Sequence, residues 1–150
     1  MANRQYQQFQ GTLQKGIVTL YPVVAVGASG AVTLKKWNPT TKAYDNASTT
    51  GVGYQKGTDG VSSVSRTGAG LWSIVLQDNY FRVIGVRATT FNSTGAVGAQ
   101  MIGIDTDSDV ASASAPTLKI NIQSSAGTSA DPTSGDRMHL EIVFQNSSAP

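Results

Sequence analysis

Apolar and polar residues alternate with period two in several separate runs along the chain, and no amphipathic helical pattern of useful length interrupts them. Thr117 to Gln123 sets Leu118, Ile120 and Ile122 on one side and Lys119, Asn121 and Gln123 on the other. Arg137 to Gln145 sets Met138, Leu140, Ile142 and Phe144 against His139 and Glu141. Successive side chains of a strand point to opposite faces, so each run reads as a strand with one buried face. Leu71 to Gln77 differs, because Leu71 and Val75 oppose Trp72, Ile74 and Leu76. Apolar groups on both faces predict a central position in the packed layers.

Turn residues punctuate these runs. Gly27-Ala28-Ser29-Gly30 separates Gly16 to Val26 from Ala31 to Trp37, and Gly68-Ala69-Gly70 separates Val61 to Thr67 from Leu71 to Gln77. Two β-branched runs around a short glycine-rich link read as a hairpin. Pro22 has no N–H for a sheet ladder, so its strand is expected at an edge or bulged there. Arg82 to Phe91 and Val97 to Ile104 add two more strands. Residues 38–59 read as a long excursion with room for a small hairpin, and 105–116 and 124–136 as polar loops. The pattern predicts an all-β, single-domain antiparallel sandwich or barrel, jelly-roll-like, with about eight strands. It divides the chain into an N-terminal arm (1–12), the sandwich domain (13–146) carrying the 38–59 loop, and a tail (147–150).

Composition narrows the functional classes. The 150 residues include 16 Ser, 16 Thr and 16 Gly, and 13% are charged, against about 25% in ordinary soluble domains. A net charge of +2 without clustered lysine and arginine argues against a dedicated nucleic-acid binder. Cysteine is absent, which removes thiol chemistry and disulfides together. The polar first ten residues lack the apolar stretch of a signal peptide. Ile17 to Val26, interrupted by Thr19 and Pro22, is too short to span a bilayer. The expected setting is therefore a cytoplasm, with no membrane partner.

Candidate chemistry is sparse. His139 is the single histidine, beside Glu141, and no serine lies in a nucleophile elbow, so a surface histidine on a strand is the expected role. Asp105, Asp107 and Asp109 open like a calcium loop. Val110 then replaces the turn glycine and Pro116 the closing glutamate, leaving a solvated loop or a weak cation site between subunits. Gly51-x-Gly53-x-x-x-Gly57 is neither a dinucleotide nor a Walker fingerprint. Lys35-Lys36-Trp37 reads as a strand end with snorkelling lysines. No cofactor, metal or catalytic set is expected, and the chain is read as a non-enzyme.

Three stretches carry a resemblance. Lys15-Gly16-Ile17-Val18-Thr19-Leu20 opens it, Val61 to Tyr80 with Ser63-Val64-Ser65-Arg66-Thr67-Gly68-Ala69-Gly70-Leu71-Trp72 is its centre, and Asp131-Pro132-Thr133-Ser134-Gly135-Asp136 with Leu140 to Ser148 closes it. Over residues 15–36 and 60–148 the chain resembles a family of small proteins from the structural-gene blocks of tailed bacteriophages, some of which are head decoration (cement) proteins. Residues 38–59 resemble an insertion relative to shorter members. Arg66 and Asp78 match the family pattern, with no binding role to transfer.

The resemblance implies a virion protein on the outer surface of the capsid, made in the bacterial host cytoplasm. Its partners would be the major capsid protein and itself, as a trimer or a dimer. Arg4, Tyr6 and Phe9 of the arm, read either as a frayed terminus or as a tether, and Tyr44 and Tyr54 of the loop are the expected interface residues. A tail, fibre or baseplate component is the alternative within the virion. A carbohydrate-binding sandwich using Trp37, Tyr44 and Tyr54 is the alternative of another class.

Overall fold

A computed structural model describes residues 16–47, 60–93 and 100–146. Ten strands form among them: β1 (Ile17–Leu20), β2 (Val23–Val26), β3 (Val32–Asn38), β4 (Ala43–Asn46), β5 (Val61–Gly68), β6 (Leu71–Leu76), β7 (Arg82–Phe91), β8 (Gln100–Ile104), β9 (Thr117–Ser124) and β10 (Arg137–Gln145). They build two antiparallel sheets packed as a β-sandwich. One runs β7, β10, β1 with β2, β3, β4, and the other runs β5, β6, β9, β8. The last strand lies between β7 and the β1–β2 segment, and β9 lies between β6 and β8. This interleaving of late strands among early ones is jelly-roll-like.

The alternation seen in the sequence sets the core. Met138, Leu140, Ile142 and Phe144 of β10 face Leu118, Ile120 and Ile122 of β9 and Trp72, Ile74 and Leu76 of β6 across the interior, all fully buried. Tyr80 closes one end of this core, its ring stacked on Phe144 at 4.2 Å. β6 is laterally central in its sheet, paired with β5 and β9, but only its Trp72, Ile74 and Leu76 face is buried; Leu71, Ser73 and Val75 lie half-buried on the outward face.

Three details differ from the sequence expectation. Pro22 sits without a bulge where an edge strand becomes an inner one: β1 before it pairs with β10 alone, and β2 after it pairs with both β10 and β3. Leu20 pairs with Ile142 and Val23 with His139, so the register along β10 is continuous across Tyr21 and Pro22. Pro22 still accepts a hydrogen bond from Leu140 N (2.9 Å) and only the reciprocal bond is missing, which splits one expected strand into β1 and β2. The second difference is β4, which gives the 38–47 stretch a hairpin with β3. Its turn is held by Asn38, whose Oδ1 accepts from Thr40 N (2.9 Å) and Thr41 N (3.3 Å), while Nδ2 donates to Asp45 (2.8 Å). Together these give ten strands instead of eight. The third is in β7, where the register with β10 shifts between Val143 and Phe144, leaving Ile84 out of the alternation.

Candidate functional site

The outward parity of the six-stranded sheet carries the most unusual surface. Across it, Thr89 of β7 pairs with His139 of β10, His139 with Val23 of β2, Val23 with Lys35 of β3, and Lys35 with Asn46 of β4. Two residues along, on the same face, stand Tyr21, Trp37 and Tyr44. On the other side of that row stand Ala25, Arg137 and Phe91. Small residues at Val23 and Ala25 let the larger rings lean across them. Trp37 meets Tyr44 edge-on at 5.1 Å, Tyr44 meets His139 edge-on at 5.4 Å, and His139 meets Phe91 at 4.4 Å. The Arg137 guanidinium lies between the outer pair, 4.8 Å from the Tyr44 ring centre and 5.9 Å from that of Phe91. Edge-on rings and a cation over ring faces are the arrangements that an aromatic quadrupole favours. Tyr21 is 61% exposed, and Trp37 and Phe91 are each 47% exposed.

His139 is thus not a free surface histidine. Burial lowers its pKa below the ordinary 6.5, and the neighbouring positive charge of Arg137 adds to this. Its Nε2 is buried without a hydrogen-bond partner. Among the described residues no nucleophile or carboxylate converges on it, and Glu141 stands in the next row, opposite Arg87. The arrangement can hold a partner by ring contact and by guanidinium N–H groups.

A second cluster lies at the rim of the other sheet. Arg66 Nε and Nη2 each lie 2.9 Å from Asp131 Oδ2, and Gly70 N donates to Asp131 Oδ1 at 2.9 Å. Burial would raise the Asp131 pKa. The hydrogen bonds from Arg66 and Gly70 and the Arg66 charge outweigh it and hold the carboxyl below its ordinary 3.8. Trp72 Nε1 is near enough to the carboxylate to add to this lowering but makes no hydrogen bond of its own. Arg66, Gly70 and Trp72 of one quoted motif therefore meet Asp131 of another, 65 residues from Arg66. Asp136 of the same motif is buried and accepts from Ser93 N (2.8 Å) and Thr133 N (3.1 Å). These motif residues hold the fold together.

The aspartate loop does not converge. Asp105 Oδ1 accepts from Asp107 N (3.0 Å), and Asp107 lies 4.0 Å from Lys119 Nζ. Among the described residues no group of three or more histidines and carboxylates is placed to hold a metal ion.

Of the five residues expected at an interface, Tyr44 stands in the aromatic row. Arg4, Tyr6, Phe9 and Tyr54 lie outside the described residues. Sequence reasoning missed Tyr21, Phe91 and Arg137. The available signal was their parity: Phe91 and Arg137 occupy outward strand positions, and Tyr21 keeps the outward parity between β1 and β2, where a polar residue is the default.

No protein-family model matches the chain, and no curated protein or solved structure is similar to it. The function therefore rests on the geometry and on the motif resemblance.

Proposed function

We propose that the protein is a tailed-phage capsid decoration protein. It binds the major capsid protein lattice on the outer surface of the mature head and stabilises it, as a homotrimer. The observation that carries this reading is the broad outer face of the six-stranded sheet, where Tyr21, Trp37 and Phe91 stand exposed around Arg137. Exposed apolar patches rimmed by polar groups mark interaction sites, and aromatics with arginine dominate binding energy at interfaces. The only histidine is walled in by rings, which favours a binder over an enzyme. A decoration protein does no chemistry: it binds the assembled shell and stabilises it by mass action, by about 2.7 kcal/mol per site at a hundredfold excess over Kd. Repetition over a symmetric lattice multiplies that term.

The test is proteomic and structural. Heads and tails of the encoding phage are separated and analysed by mass spectrometry, and the heads are reconstructed by electron cryomicroscopy. The chain is expected in heads, on the outer shell. Recovery with tails alone would assign it to the tail or baseplate. A different class draws on the same surface: Trp37 is 47% exposed, and an exposed aromatic ring is what a sugar packs against. Binding on a glycan array that is lost in Trp37→Ala would establish that carbohydrate-binding reading instead.

A further inference from the structure

We propose that the outer face of the six-stranded sheet is the side that meets the shell, and that its partner there is an acidic protein surface. This inference rests on the decoration reading and adds which face docks and what it docks to. The described charges on this face are Lys35, Arg82, Arg87 and Arg137 against Glu141, four cations to one anion, a local net of +3. The whole chain carries only +2, so this face holds more than its share of the positive charge.

Three of the four cations are held by neutral partners. Lys35 Nζ donates to Asn46 Oδ1 (2.6 Å), Arg82 Nε donates to Gln145 Oε1 (2.7 Å), and Arg137 lies over Tyr44 and Phe91. These contacts orient the cations without neutralising them. A guanidinium has five N–H donors in a planar fork that matches a carboxylate, and none of those of Arg137 meets a carboxylate among the described residues.

Size and charge both choose the occupant. Five strand positions at roughly 4.8 Å spacing and the nine residues of β10 span about 20 by 30 Å. That is a flat area of at most about 600 Å², below the roughly 800 Å² per partner of a standard protein interface and in the range of a small one. A second copy seated face to face would set +3 against +3, which like-charge repulsion disfavours. A sugar stacks best on a flat platform, whereas Trp37 and Tyr44 are inclined at 66° and Tyr44 and His139 at 78°. Carboxylates set among apolar residues satisfy the rings and the cations together.

Heads purified from particles made without this chain provide the probe. Wild-type protein is titrated onto them beside Trp37→Ala, Tyr21→Ser and Arg137→Glu. Lys119→Glu, on the outer face of the other sheet, is the charge-matched control. Each variant is first checked for a cooperative melt that leaves it folded at the assay temperature. Tyr21 is the most exposed of the three and reports even if Arg137→Glu unfolds the chain. Trp37→Ala and Arg137→Glu are expected to raise Kd about tenfold or more, Lys119→Glu less than about twofold, and added salt is expected to weaken wild-type binding. If the wild type binds heads and the three face variants bind equally well, the docking face is elsewhere and the decoration reading stands without this inference. If the wild type does not bind heads, both fail. Dissociation of the oligomer by Arg137→Glu, seen by sedimentation, or a glycan hit lost in Trp37→Ala, would overturn the acidic-surface partner in favour of a second copy or a sugar.

Discussion

Two arginines organise the two polar clusters of this sandwich, and they are used in opposite ways. Arg66 meets a carboxylate: Asp131 takes its Nε and Nη2 and also the Gly70 N–H. The cluster lies against Gly30 and ties the β5–β6 hairpin, the β2–β3 turn and the 131–136 loop into one rim. Arg137 meets rings, lying over Tyr44 and Phe91 with no ion pair among the described residues. The first cluster is complete within the chain. The second keeps its charge and its directional N–H groups for something outside. The same side chain is therefore part of the fold in one place and, on the docking reading proposed above, of a binding surface in the other, and the difference lies in whether a carboxylate faces it.

The largest effects are expected at the completed cluster. Gly70 has φ +67°, and a β-carbon there would collide with Ile122 O and stand 2.6 Å from Ala130 N, both backbone atoms that cannot step aside. Gly70→Ala should cost about 3–4 kcal/mol from left-handed strain and overpacking together, measured by chemical denaturation. Asp131→Ala leaves the Gly70 N–H and the Arg66 charge without their acceptor and should cost about 2 kcal/mol. Its pH dependence follows from the lowered pKa. The unfolded carboxyl titrates at its ordinary 3.8 and the folded one lower, so the contribution is whole above 3.8 and is lost as pH falls through the folded value. The stability gap between wild type and Asp131→Ala should therefore close in acid. A gap that stays constant down to pH 2 would mean that the charge of Asp131 plays no part.

These sites show what a sequence can and cannot display. The core was legible because burial acts on one strand at a time. Met138, Leu140, Ile142 and Phe144 announce their face by alternation alone, and so do Leu118, Ile120 and Ile122. The Gly68-Ala69-Gly70 hairpin was legible for a similar local reason. The Arg66–Asp131 pair was not, because nothing local to either residue names a partner 65 positions away. Pro22 pointed to an edge or a bulge, and β1 is an edge strand; the break into β1 and β2 with the register kept was not legible, because it depends on the bonds to β10 on either side, including Leu140 N to Pro22 O. His139 was placed on its outward face correctly. Its burial there depends on Tyr44 and Phe91 arriving from two other strands, which one-dimensional periodicity does not report.

A middle-sized effect should separate the clusters by pH. His139 has a folded pKa below its ordinary 6.5, so as pH falls through 6.5 the unfolded chain takes up its proton first. Stability then rises with pH across this window and is lost as pH falls from 6.5 toward the folded value. The charged and titratable groups around His139 are Arg137 and Glu141 on its own strand, Arg87 on β7, Lys35 on β3 and Tyr44 on β4; burial first, and then the charge of Arg137, oppose its protonation. His139→Phe keeps a ring between Tyr44 and Phe91 and removes the titration. Urea unfolding at a series of pH values should show this part of the acid-side loss in the wild type and not in His139→Phe. Parallel curves for the two proteins would mean that the imidazole is as solvated when folded as when unfolded.

The smallest expected effect tests the comparison most directly. In the free protein, Arg137→Gln removes a cation from two ring faces and leaves every backbone bond of β10 in place. An exposed cation–π contact is worth about 0.5–1 kcal/mol, so the unfolding free energy should fall by no more than about 1 kcal/mol, well under the cost of Asp131→Ala. Trp37→Ala, at an outward and half-exposed position, should fall in the same range. The contrast is between residues that the chain spends on itself and residues that it presents. If Arg137→Gln destabilises the free protein as much as Asp131→Ala does, the aromatic cluster is a second structural clasp whose interactions are already complete, and the reason for expecting a partner on that face disappears.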